Sequence, residues 1–418
     1  MGVGGAGCSA AYAIAKKFGY QVSGCDKEAG SPYLDEKISE DVFFGHSPNH
    51  LKDVEILVYS PAISVYDSDN EEMAYAEKRG LTTISWDRFL ANYIVKDKFL
   101  IAVAGTHGKS TVTAMIGILL EKGGLDPSCL VGAVVNNWGC NYRFGKSKYF
   151  VIEADEYSEK LLQFNPDIAV ITNIEFDHPE YFKNFENVTK TFKKFLNNLK
   201  KGSFLVTGPG VNLENPKGRT ANIVKSEDFE LKMIGEFNKV NASIAAIVAR
   251  ELLIDEKKIK SSLESFKGLS RRFEFKGEEK GVLVFDDYAH HPTAIAKTLQ
   301  AAREKFPDRK IWVVFQPHLF SRTKILFDDF VLSLSNAGVD QIILVDIFAA
   351  REKDEGKISS ASLAYAIGDK KAKYISDHEE VATYLTKNLS YGDVVITMGA
   401  GDIYKLSDRI LEKLKGKG

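Results

Sequence analysis

Residues 100–116, "LIAVAGTHGKSTVTAMI", constrain the fold of this chain more than any other stretch. An apolar run of strand length meets a glycine turn carrying one lysine, and a helix-like stretch follows at once. Glycines let backbone N–H groups turn toward phosphate oxygens, and the helix N-terminus behind them adds a favourable dipole. In such a loop (Gly105, Thr106, His107, Gly108, Lys109, Ser110, Thr111) the lysine reaches the β/γ-phosphates of a nucleotide and the Ser110 hydroxyl ligates Mg²⁺. The match to the phosphate-loop pattern is incomplete, because Val103 stands where its first glycine belongs.

Strand-like apolar runs alternate with amphipathic helical stretches along all 418 residues, which argues for α/β architecture with largely parallel sheets. The length exceeds one ordinary core. We expect three domains, 1–95, 96–268 and 269–418, with "NYIVKDKF" as the first linker. Formal net charge is −2 with no long basic run, so nothing points to nucleic acid or a bilayer. Cys8, Cys25, Cys129 and Cys140 lack metal-ligand spacing and read as free thiols of a reducing cytoplasm. The sequence shows no signal peptide and no apolar run of transmembrane length.

The opening "GVGGAG" fits a dinucleotide-type glycine turn, and Asp26 lies 19 residues beyond Gly7, near the ribose-reading distance. Such a turn normally follows a buried strand. Here that strand is missing or reduced to Met1, and the expectation is a natural start upstream and a weakened first domain. The acidic strand end "EADEY" (Glu153, Asp155, Glu156) and "DH" (Asp177, His178) each close an apolar run. Parallel strands bring such residues to the sheet edge that holds the phosphate loop, where a carboxylate and an imidazole can hold a metal. In the last segment Arg271 and Arg272 follow a turn, while "DDYAHHPTA", "QPHLFSR" and "GAGD" follow strands.

Together "GVGGAGCS", "SGCD", "GTHGKST", "EADE", "TNIEFDH", "GEFNKVN", "RRF", "DDYAHHPT", "QPHLFSRT" and "MGAGDI" resemble the Mur ligase family, in order and over nearly the whole chain. The resemblance implies a Rossmann-like UDP-binding domain, a P-loop-type central ATPase domain and a Rossmann-like C-terminal domain. It implies an ATP- and Mg²⁺-dependent amide ligase of the cytoplasm, acting on UDP-N-acetylmuramate and L-alanine through an acyl phosphate in peptidoglycan precursor synthesis. Oligomeric state stays open.

Carried over residue by residue, Gly4, Gly5, Ala6, Gly7 and Ser9 cradle the UDP diphosphate. Lys109 holds the γ-phosphate, and Ser110, Glu153 and His178 serve Mg²⁺. Asn238 and Asn241 contact adenine, Arg272 contacts the phosphates, and Tyr288, His290 and Arg322 hold the amino acid and acyl group. Lys109, His178, Arg272, His290 and Arg322 form the catalytic set.

Four departures from the family pattern stand out. Phe237 replaces the histidine of the adenine motif, Leu319 replaces an arginine, and Tyr157 follows "EADE" in place of a serine. The stretch 202–235 is short, which predicts a trimmed peripheral sheet. Three alternatives remain open from sequence: a ligase attaching a preformed murein peptide, a nicotinamide-dependent oxidoreductase resting on "GVGGAG" and Asp26, and a non-enzymatic nucleotide sensor.

Overall fold

A computed structural model describes residues 1–27, 30–34, 41–67, 69–350 and 352–416. They form two compact units. The first comprises Met1–Glu175, Phe185–Lys232 and Lys239–Lys267; the second comprises Phe176–Asn184, Met233–Asn238 and Gly268–Gly418.

The first unit opens with two small parallel pairs, Gly24–Asp26 with Val42–Phe44 and Ile56–Tyr59 with Thr82–Ser85. Met1–Val3 lies between them. The Met1 ammonium donates to Val58 O at 2.7 Å and Met1 O accepts from Ser60 N at 3.0 Å, while Gly2 N and Val3 N both donate to Cys25 O. Behind Met1–Val3 the helix Ala6–Lys17 buries its small and apolar residues from Cys8 to Ala15. Gly7 is required there, because a Cβ would fall 2.5 Å from the Trp86 ring. The expected linker is partly helical, with Trp86–Phe89 leading directly into a turn of wider helix at Leu90–Ile94.

The rest of this unit is built on a seven-stranded sheet. Its order is Arg219–Asn222, Phe204–Thr207, Ile168–Ile171, Phe99–Ala104, Tyr149–Glu153, Ser128–Val135 and Cys140–Arg143, parallel throughout except for the last pair. Strands buried on both faces read as continuous apolar runs, which "FLIAVA" and "IAVI" do. Phe99–Ala104 is central, so its carboxyl end and those of its two neighbours deliver Gly105, Ala154 and Thr172 to one edge. The stretch 202–235 forms no separate sheet; its two strands extend this one.

The second unit holds a six-stranded sheet ordered Glu274–Glu279, Val282–Asp287, Val394–Met398, Ile311–Phe315, Gln341–Leu344 and Ala372–Tyr374, antiparallel only at the first pair. Alternation along Ile311–Phe315 feeds two cores. Ile311, Val313 and Phe315 pack with Leu299 and Phe330 on one face, and Trp312 and Val314 pack with Leu385 and Ile410 on the other. Helices therefore cover both faces, as a doubly wound sheet requires.

Candidate functional site

The glycine turn of the first unit is shaped by two close approaches. Gly105 has φ +128°, and a Cβ there would stand 2.1 Å from Thr172 Oγ1. Gly108 is left-handed at φ +80°, and a Cβ would meet Asn241 Oδ1 at 2.7 Å. Between them His107 is fixed on both sides. Its N–H donates to Asn173 Oδ1 at 2.8 Å, its carbonyl accepts from Thr172 Oγ1 at 2.6 Å, and its Nε2 lies 3.2 Å from Glu175 Oε2. The Thr106 hydroxyl exchanges hydrogen bonds with the Glu175 backbone. The helix Lys109–Gly123 starts immediately behind Gly108, so its first N–H groups face the turn.

Lys109 Nζ donates to Gly105 O at 2.7 Å and Thr106 O at 3.3 Å, and pairs with Glu156 Oε2 at 2.8 Å. Burial works against its charge, but Glu156, Asp155 and Glu153 outweigh that and hold the ammonium above its ordinary pKa. Ser110 Oγ donates to Glu153 Oε1 at 3.0 Å, and Gly132 N donates to Glu153 Oε2 at 2.6 Å. Burial raises the Glu153 pKa. Gly132 has no room for a side chain, since a Cβ would lie 2.8 Å from that carboxylate, and its carbonyl accepts from Tyr33 Oη at 3.3 Å. Glu156 Oε1 is buried with no hydrogen-bond partner among the described residues. Just beyond it Ser158 and Glu159 both adopt left-handed backbone at φ 56° and φ 54°. Thr111 is buried in the same helix turn as Ser110.

At the opening turn Gly4 N donates to Asp26 Oδ2 at 2.7 Å, and Gly4 O accepts from Ser31 Oγ at 2.6 Å. A Cβ on Gly4 would sit 2.9 Å from that same carboxylate. Gly5 follows as the residue before the helix, and Ala6 O accepts from both Ser9 Oγ and Asn141 Nδ2. Asp26 thus closes its own glycine turn.

The second unit gathers a different set. Arg322, 1% exposed, donates from Nη2 to Asp177 Oδ1 at 2.9 Å, and its Nη1 lies 3.3 Å from His318 Nδ1. Burial opposes the Asp177 charge, yet His178, Arg322, His290 and His291 hold its carboxyl well below the usual range. His178, at φ 54°, places Nδ1 3.2 Å from Glu180 Oε1. The adjacent histidines have separate duties. His291 caps the helix Pro292–Lys305, accepting from Thr293 N, with its Nε2 3.2 Å from Phe176 O. His290 Nδ1 faces the Tyr288 carbonyl at 2.9 Å, which requires N–H there and leaves the lone pair on Nε2. Burial, then the Arg322 charge, keeps His290 neutral, well below its ordinary pKa.

The two arginines also differ. Arg271 is pinned by Asp286 at 3.1 Å and Gly399 O at 2.6 Å. The Arg272 guanidinium lies 5.0 Å from the centre of the Tyr288 ring and makes no side-chain hydrogen bond among the described residues. Asp287 accepts from Phe273 N and Ala289 N, and burial raises its pKa to about 6. Leu319, fully buried, carries φ 72°. Asn238 turns inward onto Ile234 O at 2.7 Å in this unit, whereas Asn241 stands over Gly108 in the first.

Sequence reasoning missed Glu156 as the direct partner of Lys109, and Gly132 and Asp177 as the residues behind Glu153 and Arg322. "EADE" and "DH" were the signals. What was lacking was which acid of each cluster the backbone turns inward.

A nucleotide-type glycine loop on a parallel sheet, joined in sequence to a second doubly wound sheet, defines a nucleotide-dependent enzyme of the α/β class. Family profiles match described as the Mur ligase family catalytic domain over 1–97, the Mur ligase middle domain over 103–222 and the Mur ligase glutamate ligase domain over 271–401. The chain belongs to the Mur ligase family.

Among its relatives are proteins named UDP-N-acetylmuramate–L-alanine ligase. That of Clostridium acetobutylicum is 38% identical over 451 residues, covering 99% of this chain and 97% of the relative. That of Acetivibrio thermocellus is also 38% identical, covering 99% and 95%. The crystal structure of UDP-N-acetylmuramate–alanine ligase from Thermotoga maritima superposes with a TM-score of 0.83 at 26% identity, covering 100% of this chain and 98% of that one. A murein peptide ligase of Psychrobacter arcticus, 22% identical with a TM-score of 0.72 over 99% and 97% of the two chains, shares the fold.

Proposed function

We propose that this chain is an ATP-dependent ligase that adds L-alanine to UDP-N-acetylmuramate in cytoplasmic peptidoglycan precursor synthesis. The observation that carries the reading is the 38% identity, over 99% of the chain, to relatives named for that reaction. Three domains with boundaries near 95 and 269 belong to the same reading.

A carboxylate is a poor acyl donor, and the phosphoryl group of ATP makes an acyl phosphate of the lactyl carboxylate, which an amine can attack. The protein then positions groups and neutralises charge. Gly105–Thr111 would hold the phosphates, with Lys109 leaving Glu156 for the γ-phosphate and Asn241 beside the loop. The donors fit Mg²⁺: Ser110 Oγ and Glu153 present hard oxygens 3.0 Å apart, and Glu156 Oε1 is buried without a hydrogen-bond partner among the described residues. Ser110, Glu153 and His178 would hold the ion, which supplies charge neutralisation on the phosphates.

Gly4, Gly5, Ala6, Gly7 and Ser9 would take the UDP diphosphate in place of the Asp26 carboxylate. Asn238 would contact adenine, beside Phe237. The Arg272 guanidinium, without a side-chain hydrogen bond among the described residues, suits a phosphate. Tyr288, His290 and Arg322 would hold the acyl group and amino acid. The His290 Nε2 lone pair would accept a proton from the incoming ammonium.

The test is ADP release with UDP-N-acetylmuramate against L-alanine, other amino acids and the murein tripeptide. Release that depends on L-alanine supports the reading. Preference for the tripeptide moves it to the recycling ligase, and release indifferent to any amine removes it.

A further inference from the structure

A second cluster of titratable side chains lies in the first unit, apart from the glycine turns. Glu72 is fully buried in the first turn of the helix Glu71–Arg79. Its Oε2 lies 3.0 Å from Cys25 Sγ and 3.1 Å from His46 Nδ1, and its Oε1 lies 2.7 Å from His50 Nδ1 and 3.0 Å from Ser47 N. Cys25 Sγ and His46 Nδ1 are 3.5 Å apart. Each side chain comes from a different element. Cys25 is on the strand Gly24–Asp26, His46 follows the strand Val42–Phe44, and His50 lies in the 3₁₀ turn Pro48–Leu51.

We infer that Cys25, His46, His50 and Glu72 form a binding site for a borderline-soft divalent cation such as Zn²⁺. One thiolate, two imidazoles and one carboxylate are four ligands of the types zinc takes. Four ligands around one tetrahedral zinc stand roughly 3.3–3.7 Å from one another, given bond lengths of about 2.0–2.3 Å. One ligand atom each from Cys25, His50 and Glu72 lie within 4.8 Å of one another, and His46 Nδ1 stands 3.1 Å from Glu72 Oε2 and 3.5 Å from Cys25 Sγ, so modest side-chain shifts are needed to bring all four onto one ion. Charge also closes. A thiolate and a carboxylate balance one dication, and among the described residues no lysine or arginine pairs with Glu72. Without metal, a thiol proton and one N–H of each imidazole must converge on that single carboxylate; binding the cation releases the thiol proton and moves each imidazole proton from Nδ1 to Nε2, so both rings stay neutral ligands. The His50 ring is stacked on Phe43 at 4.5 Å, which fixes its aim.

The site would tie the Gly24–Asp26/Val42–Phe44 pair to the helix Glu71–Arg79, in a region whose core is small: Met1, Cys25, Leu51, Leu57 and Ala76. A metal holding such a core contributes directly to folding. It is independent of the ligase reading, because none of its four residues is among those assigned to the nucleotide or its ion.

The test uses the full chain, stripped with a chelator and titrated with Co²⁺, then Zn²⁺. One cobalt per chain is expected, with a thiolate-to-metal charge-transfer band in the near ultraviolet, intense tetrahedral visible bands, and a rise in Tm with Zn²⁺. Cys25→Ser, which keeps a hydrogen bond to Glu72, must lose the charge-transfer band, and Cys140→Ser must retain it. Should Cys25→Ser fold poorly, His50→Gln must weaken cobalt binding at least roughly tenfold. No thiolate band in the parent chain, a band surviving Cys25→Ser, or unchanged affinity in His50→Gln overturns the proposal.

Discussion

Lys109 Nζ and Glu156 Oε2 are 2.8 Å apart, in a pair whose carboxylate is 2% exposed. Removing one member of a buried pair costs about 3–5 kcal/mol, because the other charge is left without compensation. Lys109→Ala should therefore abolish turnover and also lower stability by roughly 3 kcal/mol. The double variant Lys109→Ala/Glu156→Gln should regain most of that stability and none of the activity. Denaturant melts and phosphate release, measured on both, separate the two effects.

The glycines of the loop should not be equivalent. At Gly105 a methyl group meets Thr172 Oγ1 and backbone at φ +128°, whereas at Gly108 its nearest contact is the Asn241 side-chain tip. Gly105→Ala should lose ATP binding together with about 2 kcal/mol or more of stability. Gly108→Ala should cost about 1–2 kcal/mol for its left-handed backbone and weaken ATP more than it disturbs the fold. Isothermal titration with ATP and thermal melts check both.

Metal dependence divides between residues. Ser110→Ala and Glu153→Gln should each raise the Mg²⁺ concentration needed for half-maximal turnover by about tenfold or more, as should His178→Ala. A Mg²⁺ titration of steady-state rate reads this directly. An unchanged titration for His178→Ala removes His178 from the ligand set.

Stability should fall as pH rises from about 4 to about 6. Asp287 has its folded pKa raised from 3.8 to about 6 by burial. The folded chain therefore binds that proton more tightly than the unfolded chain does, and ionisation in the fold costs stability. The penalty is absent below the unfolded value and complete above the folded one, roughly 3 kcal/mol at most. Asp287→Asn should flatten this part of the profile relative to the parent, although it loses one of the two N–H bonds. Urea midpoints across that range provide the comparison.

The sequence was most legible where local chemistry and topology agree. "FLIAVA", "IWVVF" and "VVITM" are buried strands whose ends carry the loop, "QPH" and "GAGD", and each is visible as an apolar run. Ser128–Val135 was harder to read, because "SCLVGAVV" has neither alternation nor helical period and its glycine serves a distant carboxylate. Arg271 and Arg272 looked alike in sequence, yet one is consumed by Asp286 and Gly399 and the other is not. His290 and His291 split the same way, one capping a helix. The cysteines gave no metal spacing because Cys25 meets its partners 21, 25 and 47 residues away, through folding alone.

Gly132 has an implication for how substrate occupancy could be communicated through the first unit. Its amide holds Glu153, and its carbonyl is held by the Tyr33 phenol, two residues from the serine bonded to Gly4. A sugar nucleotide that reorders Tyr33 would thus be mechanically linked to the acid beside Ser110. The missing side chain at position 132 makes that relay short, and any larger residue there would jam it.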